Sequence, residues 1–224
     1  DVNITTVENP VEYQLMGINQ VEISPTIGMT FAAALRSILR QDPDIVLVGE
    51  TRDNETADIA VKAALTGHLV MTTLHTNDAP SAIARLVYMG IEPFLLASSL
   101  LLAQAQRLVR KICPNCCEPY HLTKEYAEQN NLPEEILAPD AGVSHGRGCS
   151  RCSNTGYKGR TSIMEVLLIS STLREMILKS ANAREIKEQA LTEGFQDLRT
   201  NGFARVREGI TTIEEVLRVT AGEV

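Results

Sequence analysis

The chain has 224 residues, 44% hydrophobic and 22% charged, a balance that excludes a disordered polymer and fits one large domain or two small ones. Its 21 basic and 28 acidic side chains leave a net charge of −7, which excludes a surface built mainly to coat nucleic-acid phosphates. The most apolar stretch, Phe94 to Ala105, is interrupted by Ser98, Ser99 and Gln104 and is no membrane span, which needs roughly 20 apolar residues. Asp1-Val2-Asn3 has neither the basic start nor the apolar run of a signal peptide, so a soluble, cytoplasmic α/β protein is expected.

In chain order, Val2 to Val7 is β-branched and roughly alternating, a strand that stops at Asn9-Pro10. Phe31 to Arg40 reads as a helix with Thr30 as its N-cap and Pro43 beyond its end. Ile45–Val48 is an unbroken apolar run, the mark of a strand buried on both faces. A helix pattern from Asn54 to Thr66 ends at Gly67, and a second apolar run from Leu69 to Leu74 predicts another buried strand. Strand, helix, strand with short connections predicts a parallel sheet with crossover helices, with function at the carboxyl ends of its strands. Thr161 to Ile169 reads as a strand, and three or four short helices follow, punctuated by Gly194, Gly202 and Gly209. Ala183 to Leu191 and Phe203 to Val206 are amphipathic, and the last helix opens at Thr211-Thr212 with early acids that suit its dipole. These helices are expected to be structural or to pack copies together. Met16, Met71, Met89, Met164 and Met176 read as core filler.

Charge and cysteines divide the chain into three segments. Residues 1–110 carry 7 basic and 12 acidic side chains, 111–160 carry 6 of each, and 161–224 carry 8 and 10. All five cysteines lie in the middle segment, which predicts a core, an insertion and a C-terminal region. Cys113-Pro-Asn-Cys116 and Cys149-Ser-Arg-Cys152 are two Cys-x-x-Cys pairs separated by 32 residues. Each pair can grip one side of a tetrahedral zinc ion, although the gap exceeds that of a compact zinc ribbon. Gly146-Arg-Gly148 offers the flexibility such a turn wants. A disulfide framework and a redox pair are the rival readings. Cys117, His121 and His145 are left outside the shell, since four thiolates complete it.

The strand ends carry the remaining chemistry. The first strand runs into Glu8, the second into Glu50, and the third into His75, with His68 just before it. A carboxylate there can hold magnesium or activate water, and an imidazole can contact a terminal phosphate. The plain alternative is a set of solvated loop charges.

Ile4-Thr-Thr-Val-Glu-Asn-Pro-Val-Glu-Tyr resembles the aspartate box of the secretion ATPase superfamily, Leu35 to Asp53 its Walker B region, and Leu65 to Ala79 its histidine box. With Ala105 to Cys116 continuing the match, the chain resembles the type II secretion and type IV pilus assembly ATPases, the GspE/PilB group. The resemblance implies a RecA-like fold, incomplete here, and hydrolysis of ATP with magnesium. It makes Glu50 the Walker B glutamate, Glu8 a second carboxylate near the metal, and His75 and His68 the histidines that sense the γ-phosphate. Asn9 departs from the family's aspartate, which puts a metal role at that position in doubt; Thr51 stands for isoleucine or methionine, with little effect expected. None of the six lysines follows a glycine, so the Gly-x-x-x-x-Gly-Lys-Ser/Thr phosphate loop is missing. The family's loop precedes the aspartate box, so a C-terminal fragment with half an ATP site is expected. A tetracysteine subdomain marks the extension or secretion branch and is lacking in the related retraction ATPases. Implied partners are copies of the chain in a hexamer, an inner-membrane platform protein and a cytoplasmic recruiting protein, at the cytoplasmic face of the inner membrane and without nucleic acid. Two alternatives remain open at this point: a non-enzymatic zinc interaction module, and a RecA-like nucleic-acid motor, to which a −7 charge and 4% aromatics lend little.

Overall fold

Four short parallel strands organise the first half of the chain. The computed structural model describes residues 2–137 and 142–221. In it β1 (Ile4–Glu8) lies between β2 (Asn19–Glu22) and β3 (Ile45–Val48), and β4 (Leu69–Thr72) pairs with β3, giving the order β2-β1-β3-β4. The register sets Val7 beside Val21 and Val48. Val7, Val46 and Val48 are fully buried against Leu35 and Ile38 of α1 (Phe31–Ile38) and Ala60 of α2 (Asn54–Leu65). Helix α1 forms as the sequence predicts: Thr30 Oγ1 accepts the Ala33 N–H at 3.2 Å, and Ala34, Leu35 and Ile38 fall on the buried face. Asp53 caps α2 in the same way, accepting from Thr56 N–H at 2.8 Å.

Strand β4 departs from expectation. It stops at Thr72, and Leu69 and Met71 are 45% and 46% exposed. It is the terminal strand of the sheet, so Val70 packs on the core while the opposite face stays uncovered among the described residues. The methionine reading fails likewise at Met16, which is fully exposed, and at Met71 and Met164. Strand β2 has no alternating pattern in its sequence and arises from its pairing with β1.

Residues cluster by contact into two units. The first comprises residues up to Thr76, Pro80–Ala103 and Leu168–Ala190; the second comprises Asn77–Ala79, Gln104–Leu167 and Leu191 onward. The first unit holds the sheet together with most of α3 (Ala79–Tyr88), α4 (Pro93–Ser99), α6 (Ser171–Leu178) and most of α7 (Ala183–Thr192); α4 packs on α2 and α6.

The second unit is built on a two-stranded ribbon of β5 (Leu102–Ile112) and β8 (Tyr157–Leu168), with an antiparallel pair β6 (Cys117–Pro119) and β7 (Ser144–Gly146) and the helices α5 (Lys124–Gln129), α8 (Leu198–Arg207) and α9 (Ile213–Thr220). Ile136, Val143, Phe203, Val206, Ile213 and Val216 form its core. Gly202 lies inside α8 and does not punctuate a helix end. A Cβ there would stand 2.5 Å from Val216 Cγ1, so the glycine is what lets α9 approach. Glu215, buried in α9, accepts from Arg110 Nη2 at 2.6 Å and Arg218 Nε at 2.9 Å, and the Arg110 guanidinium lies 4.0 Å from the centre of the Tyr157 ring. Burial raises the Glu215 pKa, and the hydrogen bonds from Arg218 and Arg110 outweigh it and bring it down to about 2. Among the described residues no helix is long and apolar enough to cross a membrane.

Candidate functional site

The parallel register brings the carboxyl ends of β1, β3 and β4 side by side, and two of the groups singled out by sequence meet there. Gly49, directly after β3, donates its N–H to Val7 O at 2.7 Å, which carries the chain past the end of β1 and delivers Glu50. Glu50 is mostly buried; its Oε2 accepts from Arg52 Nε at 2.6 Å and from His75 Nε2 at 3.3 Å. Burial raises its pKa, but hydrogen bonds from Arg52 and then His75 prevail and hold the carboxyl below its ordinary value. Glu50 is therefore a carboxylate at neutral pH, with a cation on one oxygen.

Glu8 ends β1, and its Oε1 accepts from Thr6 Oγ1 at 2.5 Å and Gln20 Nε2 at 2.9 Å. The same Gln20 nitrogen donates to Tyr13 O, and its Oε1 accepts the Leu15 N–H. Gln20 thus ties Glu8 to the loop between β1 and β2, and nothing in its sequence context signals that. Thr51 is buried, with its hydroxyl 2.7 Å from that of Thr72 and its N–H donating to Thr73 O, and Thr73 Oγ1 donates to Gly49 O at 2.6 Å. These bonds fasten the Glu50 turn to the end of β4. His68 stands elsewhere: it precedes β4, and its Nδ1 lies 3.0 Å from Ala63 O and 3.2 Å from Thr66 Oγ1 at the end of α2. The structure brings His75 to Glu50 and does not bring His68 there.

The two Cys-x-x-Cys turns converge in the second unit. The sulfurs of Cys113, Cys116, Cys149 and Cys152 all lie within 4.8 Å of one another. Individual Sγ···Sγ separations are 3.9 Å for Cys113–Cys149 and Cys116–Cys152, and 3.7 Å for Cys149–Cys152. A tetrahedral ion with metal–sulfur bonds of ~2.3 Å sets its ligands about 3.8 Å apart, so the sulfurs stand where such an ion needs them. None is joined in a disulfide: the separations of 3.7–3.9 Å far exceed the ~2.05 Å of an S–S bond. Backbone N–H groups of Cys149 and Gly156 donate to Cys152 Sγ at 3.2 and 3.3 Å, and Asn115 Nδ2 donates to Cys149 Sγ at 3.3 Å. The Asn115 bond is the main reason the Cys149 thiol falls to about 6, while burial pushes Cys116 up to about 12. Cys117 is exposed, and His145 packs edge-on against Tyr120 at 5.2 Å. Neither belongs to the four-sulfur set, nor does His121. The structure gives Gly146 a different task from flexibility: a Cβ there would sit 2.0 Å from Gly156 O, so the two backbones touch where the knuckles meet.

The comparisons with known proteins agree on one family. The sequence matches the model of the family described as Type II/IV secretion system protein over residues 1–218. It is 52% identical to the type II secretion system protein E of Pseudomonas aeruginosa, covering 99% of this chain and 43% of that protein. It is 48% identical to the type IV pilus assembly ATPase PilB of Myxococcus xanthus, covering 99% of this chain and 39% of that one. The chain thus spans less than half the length of these relatives. Its fold is similar to the crystal structure of the pilus retraction motor PilT with bound ADP, with a TM-score of 0.67 and 27% identity over 97% of this chain and 52% of PilT. On this agreement of sequence, parallel sheet and relatives, the chain belongs to the type II/IV secretion system protein family.

Proposed function

We propose that these residues are part of a motor ATPase that drives pilin or pseudopilin assembly in type II secretion or type IV pilus biogenesis. The observation that carries the reading is the contact of Glu50 Oε2 with His75 Nε2 at the carboxyl ends of adjacent parallel strands. In this reading Glu50 orients the attacking water, and its carboxylate, charged at neutral pH, accepts the water's hydrogen bond. Glu8, steadied by Gln20, faces the same end of the sheet as a second anion. The imidazole of His75 detects the terminal phosphate through Nε2, exchanging its bond to Glu50 for one to the phosphate oxygen. His68 stands as a brace for the end of α2. Magnesium, held by Glu50 and Glu8 with the nucleotide, would neutralise charge on the phosphates.

The phosphate-cradling loop is assigned to the part of the protein outside these residues, since no lysine here follows a glycine. The four thiolates hold a structural zinc that fixes the knuckles. The 1–110 core, the 111–160 insertion and the 161–224 region are read as ATPase core, zinc insertion and packing helices. The working assembly is a ring, a hexamer, at the cytoplasmic face of the inner membrane beside a platform protein and a recruiting protein. In the full-length protein, Glu50→Gln should lower kcat by about 100-fold or more while leaving nucleotide affinity within about threefold. Turnover at the normal rate overturns the assignment.

A further inference from the structure

A two-stranded ribbon leaves one edge of each strand without a neighbouring strand, and polar groups on a covered edge need other partners. At the end of β5 that leads into the sulfur set, those partners come from α9 and the residues just before it. Ile112 N–H donates to Ile210 O at 2.9 Å, Thr211 Oγ1 donates to Arg110 O at 2.8 Å, and Arg110 N–H donates to Glu215 Oε2 at 2.9 Å. Arg110 Nη2 donates to the other oxygen of Glu215 at 2.6 Å. On β8 the hydroxyl of Tyr157 lies 2.9 Å from that of Thr212. Thr211, Thr212 and Glu215 are no more than 2% exposed, so a bond lost here leaves a buried polar group unpaired.

The next residue along each strand belongs to the sulfur site. Cys113 follows Ile112, and its N–H donates to Gly156 O at 2.9 Å. Gly156 precedes Tyr157, and its N–H donates to Cys152 Sγ at 3.3 Å. Two short backbone stretches, 110–113 and 156–157, therefore bond to α9 and its cap at one end and to the knuckles at the other. Glu215 shows how specific the seat of α9 is. With Thr212 as N-cap, it stands where a capping-box acid turns back to the start of its own helix. Its oxygens instead reach Arg110 and Arg218. A carboxylate taken out of water in this way stabilises only while its partners stay in place, so the seat of α9 and the course of β5 depend on each other.

We propose that α9 and the four-sulfur site are coupled through these two stretches. With α9 seated, Arg110, Tyr157 and Glu215 hold Cys113 and Gly156 where a tetrahedral metal ion needs them, and an ion at the sulfurs in turn holds α9 on β5. The proposal rests on the reading of the four cysteines as a metal site. It makes Glu215 and Tyr157 positioning residues that act through the backbone of the knuckles. Linkage is reciprocal, so α9 strengthens metal binding by the same factor as the metal strengthens the seating of α9.

The test is zinc titration of the full-length protein against a chromophoric chelator, with amide hydrogen exchange across α9. Coupling of ordinary size is about 5–150-fold, so Glu215→Gln should weaken zinc binding by about 10-fold. Tyr157→Phe, which deletes one hydroxyl bond, should weaken it by about threefold. Glu208→Gln, which breaks an exposed ion pair with Arg205, should leave it within about twofold. In the wild type, removing the zinc should quicken exchange at residues 216–220 by about 10-fold. Should Glu215→Gln fail to fold, Tyr157→Phe decides alone. Unchanged zinc affinity in the variants, an equal loss in Glu208→Gln, or exchange in α9 that ignores the metal overturns the coupling and leaves the metal reading in place. A wild type that binds no zinc overturns that reading, and this proposal with it.

Discussion

Glu50 illustrates how much a single side chain owes to its neighbours. Its place after an apolar run was legible in sequence, as was that of Glu8, because a polar group ending a buried strand stands out; His75 was singled out as the end of a buried strand, whereas β4 stops at Thr72 and is half exposed. Arg52 was not legible: an arginine in a polar turn looks like any solvated cation, and only the fold turns its Nε onto Glu50 at 2.6 Å. Gln20 escaped for the same reason, lying on a strand whose pairing no pattern announces. Since Arg52 helps hold the Glu50 pKa down, Arg52→Ala should move the acid limb of the kcat–pH profile of the full-length protein to higher pH. Glu215 gives a stability prediction of the same kind. Its folded pKa of about 2 lies below the ordinary 4.5, so its contribution is complete above pH 4.5 and fades as the pH falls towards 2. Glu215→Gln should cost about 2–3 kcal/mol at pH 7, and urea titrations should show the gap to the wild type closing across that acid window.

Elements were legible where a period and a stop signal coincided. Helices α1 and α2 and strand β3 follow from apolar spacing, a capping side chain and a following Pro or Gly. Strand β5 was missed because its apolar stretch continues from α4 without a break; the change of period, with Ala103 and Ala105 buried in alternation, marks the strand only in hindsight. The ribbon it forms with β8 runs directly into the sulfur cluster, where Cys113 N–H donates to Gly156 O at 2.9 Å. The knuckle therefore depends on the contact of two backbones as well as on four sulfurs. Gly146→Ala should weaken binding of a metal ion at the four sulfurs by about 10-fold or more, through overpacking that the backbone cannot relieve, as read by zinc titration in competition with a chromophoric chelator. Stripping the metal from the wild type should lower the thermal midpoint of the same region, since ligand binding to the folded state stabilises it; an unchanged midpoint would show that the knuckle stands without an ion.

Across the molecule, sequence segments and contact units follow different lines. Charge and cysteine content divide the chain into consecutive blocks, whereas each contact unit gathers pieces from distant parts of it. No local signal marks such a partition, because it is made by long-range packing. One consequence is sharp: a chain ended after Ala190 lacks Phe203, Val206, Ile213 and Val216, leaving Ile136 and Val143 without their core. That truncation should abolish protease resistance of the ribbon and knuckles, as measured by limited proteolysis. The same interleaving imposes an order on synthesis. Cys152, the last of the four clustered cysteines, leaves the ribosome some sixty residues before α9, which at 5–20 residues per second is about 3–12 s. In that interval the nascent chain already carries the complete sulfur set but not the helices that close the core beside it. An ion taken up by those four sulfurs would thus have a window of its own, before α8 and α9 arrive to pack on Ile136 and Val143.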